Sequence, residues 1–200
     1  AIMIPVLRSL SNQYPDIKFN VASRPKMAPL FDEFKNINFL SLDIEKDYIG
    51  LIGVFKLFKA LKKLNPTHIA DLHYVLRTRL ISLLFRLLGY KVKSINKGRK
   101  QKKALTRLKN KHFEPLTPTV FRYSKVFSKL GFPIDITKNK FSHNNSLPEK
   151  LERVFYLDKK KWIGIAPFAS FSGKTYPLDL MQQVIVFLQR DYKIFLLGGG

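Results

Sequence analysis

Residues 162–200 read WIGIAPFASFSGKTYPLDLMQQVIVFLQRDYKIFLLGGG, and this stretch decides the fold. Trp162 to Ala166 is a short β-rich apolar run, Leu178 to Gln189 has helical periodicity, and Lys193 to Leu197 is a second apolar run ending in Gly198-Gly199-Gly200. Strand, loop, helix and strand in that order make one β/α unit of a parallel sheet. The loop carries Gly173-Lys174-Thr175-Tyr176-Pro177. Pro177 suits the first turn of the following helix, where a missing N–H costs nothing. Two glycine-bearing turns at the carboxyl ends of neighbouring strands are how α/β proteins cradle a diphosphate.

The Ser172-Gly173-Lys174-Thr175 segment also matches the end of the nucleoside triphosphate loop G-x-x-x-x-G-K-[ST]. Phe168 stands where that pattern requires its first glycine, and Pro177 falls where the helix would already have to run. Triphosphate hydrolysis is therefore set aside. What remains is a lysine, with Ser170, Ser172 and Thr175 as hydroxyl donors beside it, able to meet phosphate oxygens.

The same alternation extends towards the amino terminus. Strands are predicted over Ile17–Ala22, Ile37–Leu42, Thr67–Leu72 and Lys91–Ile95. Helices are predicted over Pro5–Gln13, Met27–Phe34, Leu51–Leu64, Val75–Leu88 and Thr119–Leu130. In the helix from Leu51, one face groups Leu51, Val54, Phe55, Phe58 and Leu61 and is expected to pack, while Lys56, Lys59 and Lys63 line a wet face. Strands alternating with helices argue for an α/β fold with a parallel sheet covered on both sides. Periodicity lapses between Gly131 and Pro148, through the polar run Ser142-His143-Asn144-Asn145-Ser146, and a helix is predicted again over Leu151–Leu157. The expected division is a first Rossmann-like domain over 1–145 and the start of a second over 146–200. Pro5 to Leu10 reads as the early turns of a helix whose strand lies upstream of Ala1, and Gly200 ends on a turn, so the sequence reads as part of a longer protein.

The chain has 200 residues, 46% of them hydrophobic, enough to bury a core. The most apolar helix pattern, Leu80–Leu88, is interrupted by Arg86, and no run approaches the roughly 18 apolar residues of a membrane span. With no cysteine there is no disulfide and no thiolate metal site. Asp71-Leu72-His73 lies at the carboxyl end of a predicted strand, but the other histidines have no ligand spacing and no metal site is expected. His68, inside the strand pattern, reads as a packed residue. Arg77 and Arg79 open the next helix and face either an acidic ligand or solvent.

Thirty-six Lys and Arg against 14 Asp and Glu give a formal charge of +22, which points to an anionic partner. Lys91 to Lys111 concentrates ten of these cations without one acidic residue. The tract reads either as a solvated loop or as an anion site. Nucleic acid is disfavoured: no zinc-finger spacing or RNP-like motif accompanies the charge, and Phe113, Phe121 and Tyr123 sit at spacings that suggest core.

Taken in order, Ile4-Pro5-Val6-Leu7-Arg8-Ser9-Leu10, Tyr14-Pro15-Asp16-Ile17, Ile69-Ala70-Asp71-Leu72-His73, Val75-Leu76-Arg77-Thr78, Thr119-Val120-Phe121-Arg122-Tyr123, Ile163-Gly164-Ile165-Ala166-Pro167-Phe168-Ala169 and Gly173-Lys174-Thr175-Tyr176-Pro177 resemble the bacterial heptosyltransferases of lipopolysaccharide assembly, glycosyltransferase family 9. The resemblance implies a GT-B fold of two Rossmann-like domains, with the acceptor on the first and an ADP-heptose donor mainly on the second. It implies inverting transfer without a metal or other cofactor. It assigns donor contacts to Ser170, Gly173, Lys174, Thr175, Gly198 and Gly199, with Lys174 stabilising the departing diphosphate as the catalytic cation. The general base, an aspartate in a Gly-Asp turn, is expected upstream of Ala1, and an acidic ribose contact is expected beyond Gly200. The 200 residues alone are therefore expected to be inactive. Tyr176 stands where many relatives have tryptophan. The implied acceptor is an anionic glycolipid at the cytoplasmic face of the inner membrane, so Arg77, Arg99, Lys100, Lys103, Arg107, Lys109 and Lys111 are the expected acceptor contacts of a peripherally bound cytoplasmic enzyme.

Overall fold

The computed structural model describes residues 2–44, 46–138 and 160–198. The chain divides into two compact units, Ala1–Phe141 and Ser142–Gly200. The boundary expected at 145/146, the polar run 142–146 and the helix expected over Leu151–Leu157 lie outside the described residues.

The first unit runs α1 (Ile4–Gln13), β1 (Phe19–Ser23), a 3-10 segment (Pro25–Leu30), β2 (Ile37–Ser41), α2 (Gly50–Lys62), β3 (His68–Asp71), α3 (Leu76–Leu87), β4 (Lys91–Ser94), α4 (Arg99–Thr106) and α5 (Thr119–Leu130). The second runs β5 (Lys161–Ile165), a 3-10 turn (Ser172–Lys174), α6 (Leu178–Leu188) and β6 (Tyr192–Leu196). This is an α/β fold, and every strand pair is parallel: Phe19 opposes Ile37, His68 opposes Lys91 and Lys161 opposes Tyr192. Where one parallel sheet is expected in the first domain, the described residues of the first unit form two separate ladders, β1-β2 and β3-β4, and those of the second unit form β5-β6.

The first two ladders nevertheless share a core. Val6, Leu7 and Leu10 of α1 are buried with Phe31, Ile37 and Phe127, and Phe19, Val21 and Ala70 pack against the same cluster. So the core that α1 enters draws side chains from both pairs. A second cluster joins Leu42, Val54, Leu57, Ile81, Phe85 and Val92 between α2, α3 and β4, with the Phe58 ring 4.9 Å from Phe85. Phe85 is wholly buried, and a side chain of that size contributes about 1.5–3 kcal/mol by leaving water.

The helix expected over Met27–Phe34 does not form. Residues 25–30 are 3-10, because Pro29 removes an N–H and its ring clashes with the carbonyl four residues earlier in an α-helix. The packed face expected for α2 is also corrected: Val54 and Leu57 are buried, whereas Leu51 and Phe55 are exposed. Phe113 and Phe121 are exposed as well and belong to no core cluster, while Tyr123 packs as expected. His68 is half-buried, with its ring edge-on to Phe132 at 5.0 Å. Among the described residues no helix is long and apolar enough to cross a membrane.

Candidate functional site

In the second unit the loop after β5 meets the glycine turn after β6 at Phe168. The β5-β6 ladder continues past its last strand pair, with the Leu197 amide donating to the Ile165 carbonyl at 2.7 Å, so both loops leave the same end of the pair. Phe168, from the loop after β5, lies against Gly198 after β6. A Cβ at Gly198 would stand 2.9 Å from Phe168 Cδ2, so a side chain there would displace the Phe168 ring from this position. Gly199 lies outside the described residues.

The loop between them is folded locally. The Lys174 amide donates to the Phe171 carbonyl and the Thr175 amide to the Ser172 carbonyl, both at 3.0 Å, closing the 3-10 turn. The Thr175 hydroxyl adds a bond to the Phe171 carbonyl at 3.4 Å. These amides hold the turn rather than a phosphate, leaving the side chains of Ser170, Ser172 and Lys174 as the exposed polar groups. The Lys174 ammonium lies 5.6 Å over the Phe171 ring, a contact weak enough to yield to a phosphate at an exposed site. Asp179 sits in the first turn of α6, where its carboxylate already complements the helix dipole.

In the first unit, sequence reading found the position of Asp71 but missed its task. Its carboxylate, 6% exposed, accepts the amides of His73 at 3.1 Å and Tyr74 at 2.7 Å, with the Ser82 hydroxyl at 3.4 Å. This side-chain clamp fixes the turn from β3 into α3, where Tyr74 takes a left-handed φ of 47° and the Arg79 guanidinium covers its ring at 5.3 Å. Arg77 follows, half-buried, at the second residue of α3. The groups of three or more His, Cys, Asp or Glu that hold metals do not occur among the described residues.

The basic tract is neither a plain loop nor wholly helical. Lys91 and Lys93 are the exposed residues of β4, while Arg99, Lys100 and Lys103 lie exposed on α4. Arg99 and Lys103 are four residues apart on one face, a like-charge pair that destabilises a helix by a few tenths of a kcal/mol, roughly, until an anion relieves it. Arg107 caps the end of α4 and its Nε donates to the Asn110 carbonyl. Lys109 and Lys111 follow, exposed, before the His112 amide returns the chain to the Ala104 carbonyl at 3.2 Å. Lys100, Gln101, Ala104, His112, Glu114 and Leu116 line an open hollow of about 340 Å³.

Arg122 organises the start of α4, a role sequence reading did not assign. Its guanidinium donates to the carbonyls of Thr117 at 2.9 Å and Asn96 at 3.0 Å and to Gln101 Oε1 at 3.2 Å. It also covers Gly98, where any Cβ would collide with it and where φ is 62°.

Comparison with known proteins agrees with this architecture. The family model of glycosyltransferase family 9 (heptosyltransferase) matches residues 54–200. The crystal structure of the glycosyl transferase family 9 from Veillonella parvula DSM 2008 superposes with a TM-score of 0.69 at 18% identity, covering 99% of this chain. The chain spans 59% of the length of that protein. No curated protein matches in sequence. With the family model matching well over half of its residues, the chain belongs to glycosyltransferase family 9, the heptosyltransferase family.

Proposed function

We propose that this chain contributes the acceptor-side unit and the opening of the donor-side unit to an inverting GT-B glycosyltransferase that moves heptose from ADP-heptose to an anionic glycolipid of the lipopolysaccharide inner core. The observation that carries the reading is the approach of Phe168, in the loop after β5, to Gly198 after β6, in a loop that also bears the exposed side chains of Ser170 and Lys174. Family membership supports sugar transfer, and the charge of +22 supports an anionic acceptor.

In this reaction the acceptor oxygen bonds to the anomeric carbon as the bond from that carbon to the diphosphate breaks. The acceptor proton passes to a carboxylate, the aspartate expected upstream of Ala1, and ADP departs with the bonding electron pair. Negative charge grows on the diphosphate during this step, and the Lys174 ammonium stabilises it more in the transition state than in the ground state. No metal or cofactor is required for that role. Ser170, Gly173, Thr175, Gly198 and Gly199 are the proposed donor contacts. Arg99, Lys100, Lys103, Arg107, Lys109 and Lys111, with Arg77 on α3, meet acceptor phosphates and carboxylates on the cytoplasmic leaflet, and nucleic acid is not the partner.

In the full-length enzyme, Lys174→Ala is expected to lower kcat about 100- to 1,000-fold, the usual cost of losing one transition-state charge contact, with the fold unchanged because the side chain is exposed. Near-normal kcat for that variant with ADP-heptose would remove Lys174 from the mechanism.

A further inference from the structure

Helix α2 carries an outward face that the core does not use. Val54 and Leu57 point into the second core cluster, with Phe58 and Leu61 packed beside them. On the opposite side, Ile49, Leu51, Ile52 and Phe55 are 66%, 68%, 75% and 53% exposed. Soluble surfaces scatter single apolar residues, but four within seven positions form a patch that marks an interaction site.

The patch has a defined continuation. With successive residues turning about 100°, Leu51, Phe55, Lys59 and Lys62 form one outward stripe, and Ile52, Lys56 and Lys63 form the next. All four lysines are exposed, and Gly50 to Leu64 contains no acidic residue. The first turns of this face are thus apolar and the last turns cationic. Gly53 presses against the Tyr48 backbone with no room for a Cβ, which holds the segment bearing Ile49 close on the helix. Lys46 pairs with Asp43 at 3.8 Å, leaving the exposed Asp47 as an opposing charge just before the patch.

We infer that the outward face of α2 docks on an anionic lipid bilayer, with Ile49, Leu51, Ile52 and Phe55 entering the acyl boundary and Lys56, Lys59, Lys62 and Lys63 on the headgroup phosphates. Apolar residues beside a lysine-rich surface on one helix are the chemistry of interfacial binding. A nucleic acid would use the lysines and leave the aliphatic side chains wet. The inference deepens the membrane location in the proposed function but rests on α2 alone and on none of the residues placed around donor or acceptor.

The test uses vesicles of phosphatidylcholine, with and without phosphatidylglycerol, containing neither donor nor acceptor, so its result is independent of glycosyl transfer. The protein is expected to bind the anionic vesicles, less strongly as salt rises. The triple variant Leu51→Ser, Ile52→Ser, Phe55→Ser is expected to bind them about tenfold more weakly or worse, with unchanged far-UV ellipticity because these side chains lie outside the core. Phe55→Trp in a Trp162→Phe background is expected to shift its emission to the blue on anionic vesicles. Undiminished binding of the triple variant, or no blue shift, would overturn the inference. So would a dimer that the triple variant dissociates, which would assign the face to a second copy of the chain, or a blue shift of the Phe55→Trp variant on an oligonucleotide instead of on vesicles.

Discussion

Replacing Asp71 with alanine removes the acceptor that ties the β3–α3 turn together. Two backbone amides, of His73 at 3.1 Å and Tyr74 at 2.7 Å, lose a carboxylate partner. Hydrogen bonds to a charged group are worth about 1.5–3 kcal/mol each, and the Ser82 contact at 3.4 Å is too long to add much. His73 is exposed, so its amide regains water in the variant, whereas the half-buried Tyr74 amide does so poorly. The expected loss is therefore about 2–3 kcal/mol, below the sum of two full bonds. Asp71→Asn keeps an oxygen able to accept both amides and is expected to cost about 1 kcal/mol. Urea unfolding followed by far-UV ellipticity reads this directly, since α1 to α5 all belong to the first unit, and the slope with denaturant should stay constant while the midpoint falls. If Asp71→Ala unfolds within about 0.5 kcal/mol of the parent, the clamp does not hold the turn and its assigned role is wrong.

Arg122→Ala is expected to speed amide hydrogen exchange across Gly98 to Lys103, because the bonds to Asn96 and Gln101 that fix the start of α4 are lost; unchanged protection there would contradict the anchoring role. The Asp135 carboxyl is held below its ordinary value of 3.8, first by the Thr137 hydroxyl and then by the Thr137 amide, which outweigh the opposing effect of desolvation, with Lys138 adding a lesser attraction. Its folded-state value being depressed, its contribution to stability is present above the unfolded value and is lost as pH falls through the folded one. An NMR titration should show a midpoint under 3.8 in the parent and a rise towards it in Thr137→Val. An unmoved midpoint would assign the shift to another cause.

Much of the fold is legible because hydrophobic periodicity and strand propensity agree. The β5–α6–β6 unit lies within a residue or two of its expected bounds, as do β2, β4 and α5. The failures have separate physical causes. Pro29 overrides an apparently helical apolar spacing over Met27–Phe34. Helix α4 has strong helix formers in Arg99, Lys100, Gln101, Lys103 and Ala104 but no apolar stripe, so a reading based on periodicity passes over it. For α2, spacing tells which residues share a face but not which face meets the core, and apolar side chains lie on two sides of this helix.

The candidate site divides in the same way. Lys174 and Gly198 are visible in the sequence as chemistry-bearing residues in two turns, and their spacing on adjacent parallel strands implies that the turns meet. Phe168 enters there only as a residue that breaks a triphosphate loop. Its packing against Gly198, which brings the loop after β5 to the end of β6, depends on a close approach that no local pattern encodes. The Asp71 clamp and the Arg122 anchor likewise join residues whose contacts depend on backbone turns, and a glycine at position 98 under a guanidinium has no sequence signature.

The most direct measurement is mass spectrometry of an anionic inner-core glycolipid after incubation with the full-length protein and ADP-heptose, in buffer containing a metal chelator. Inverting, metal-independent transfer predicts that the acceptor gains one heptose with inverted anomeric configuration, that ADP is released in equal amount, and that the chelator has no effect. An unmodified acceptor with intact donor, or a product formed only when a divalent metal is restored, would contradict it.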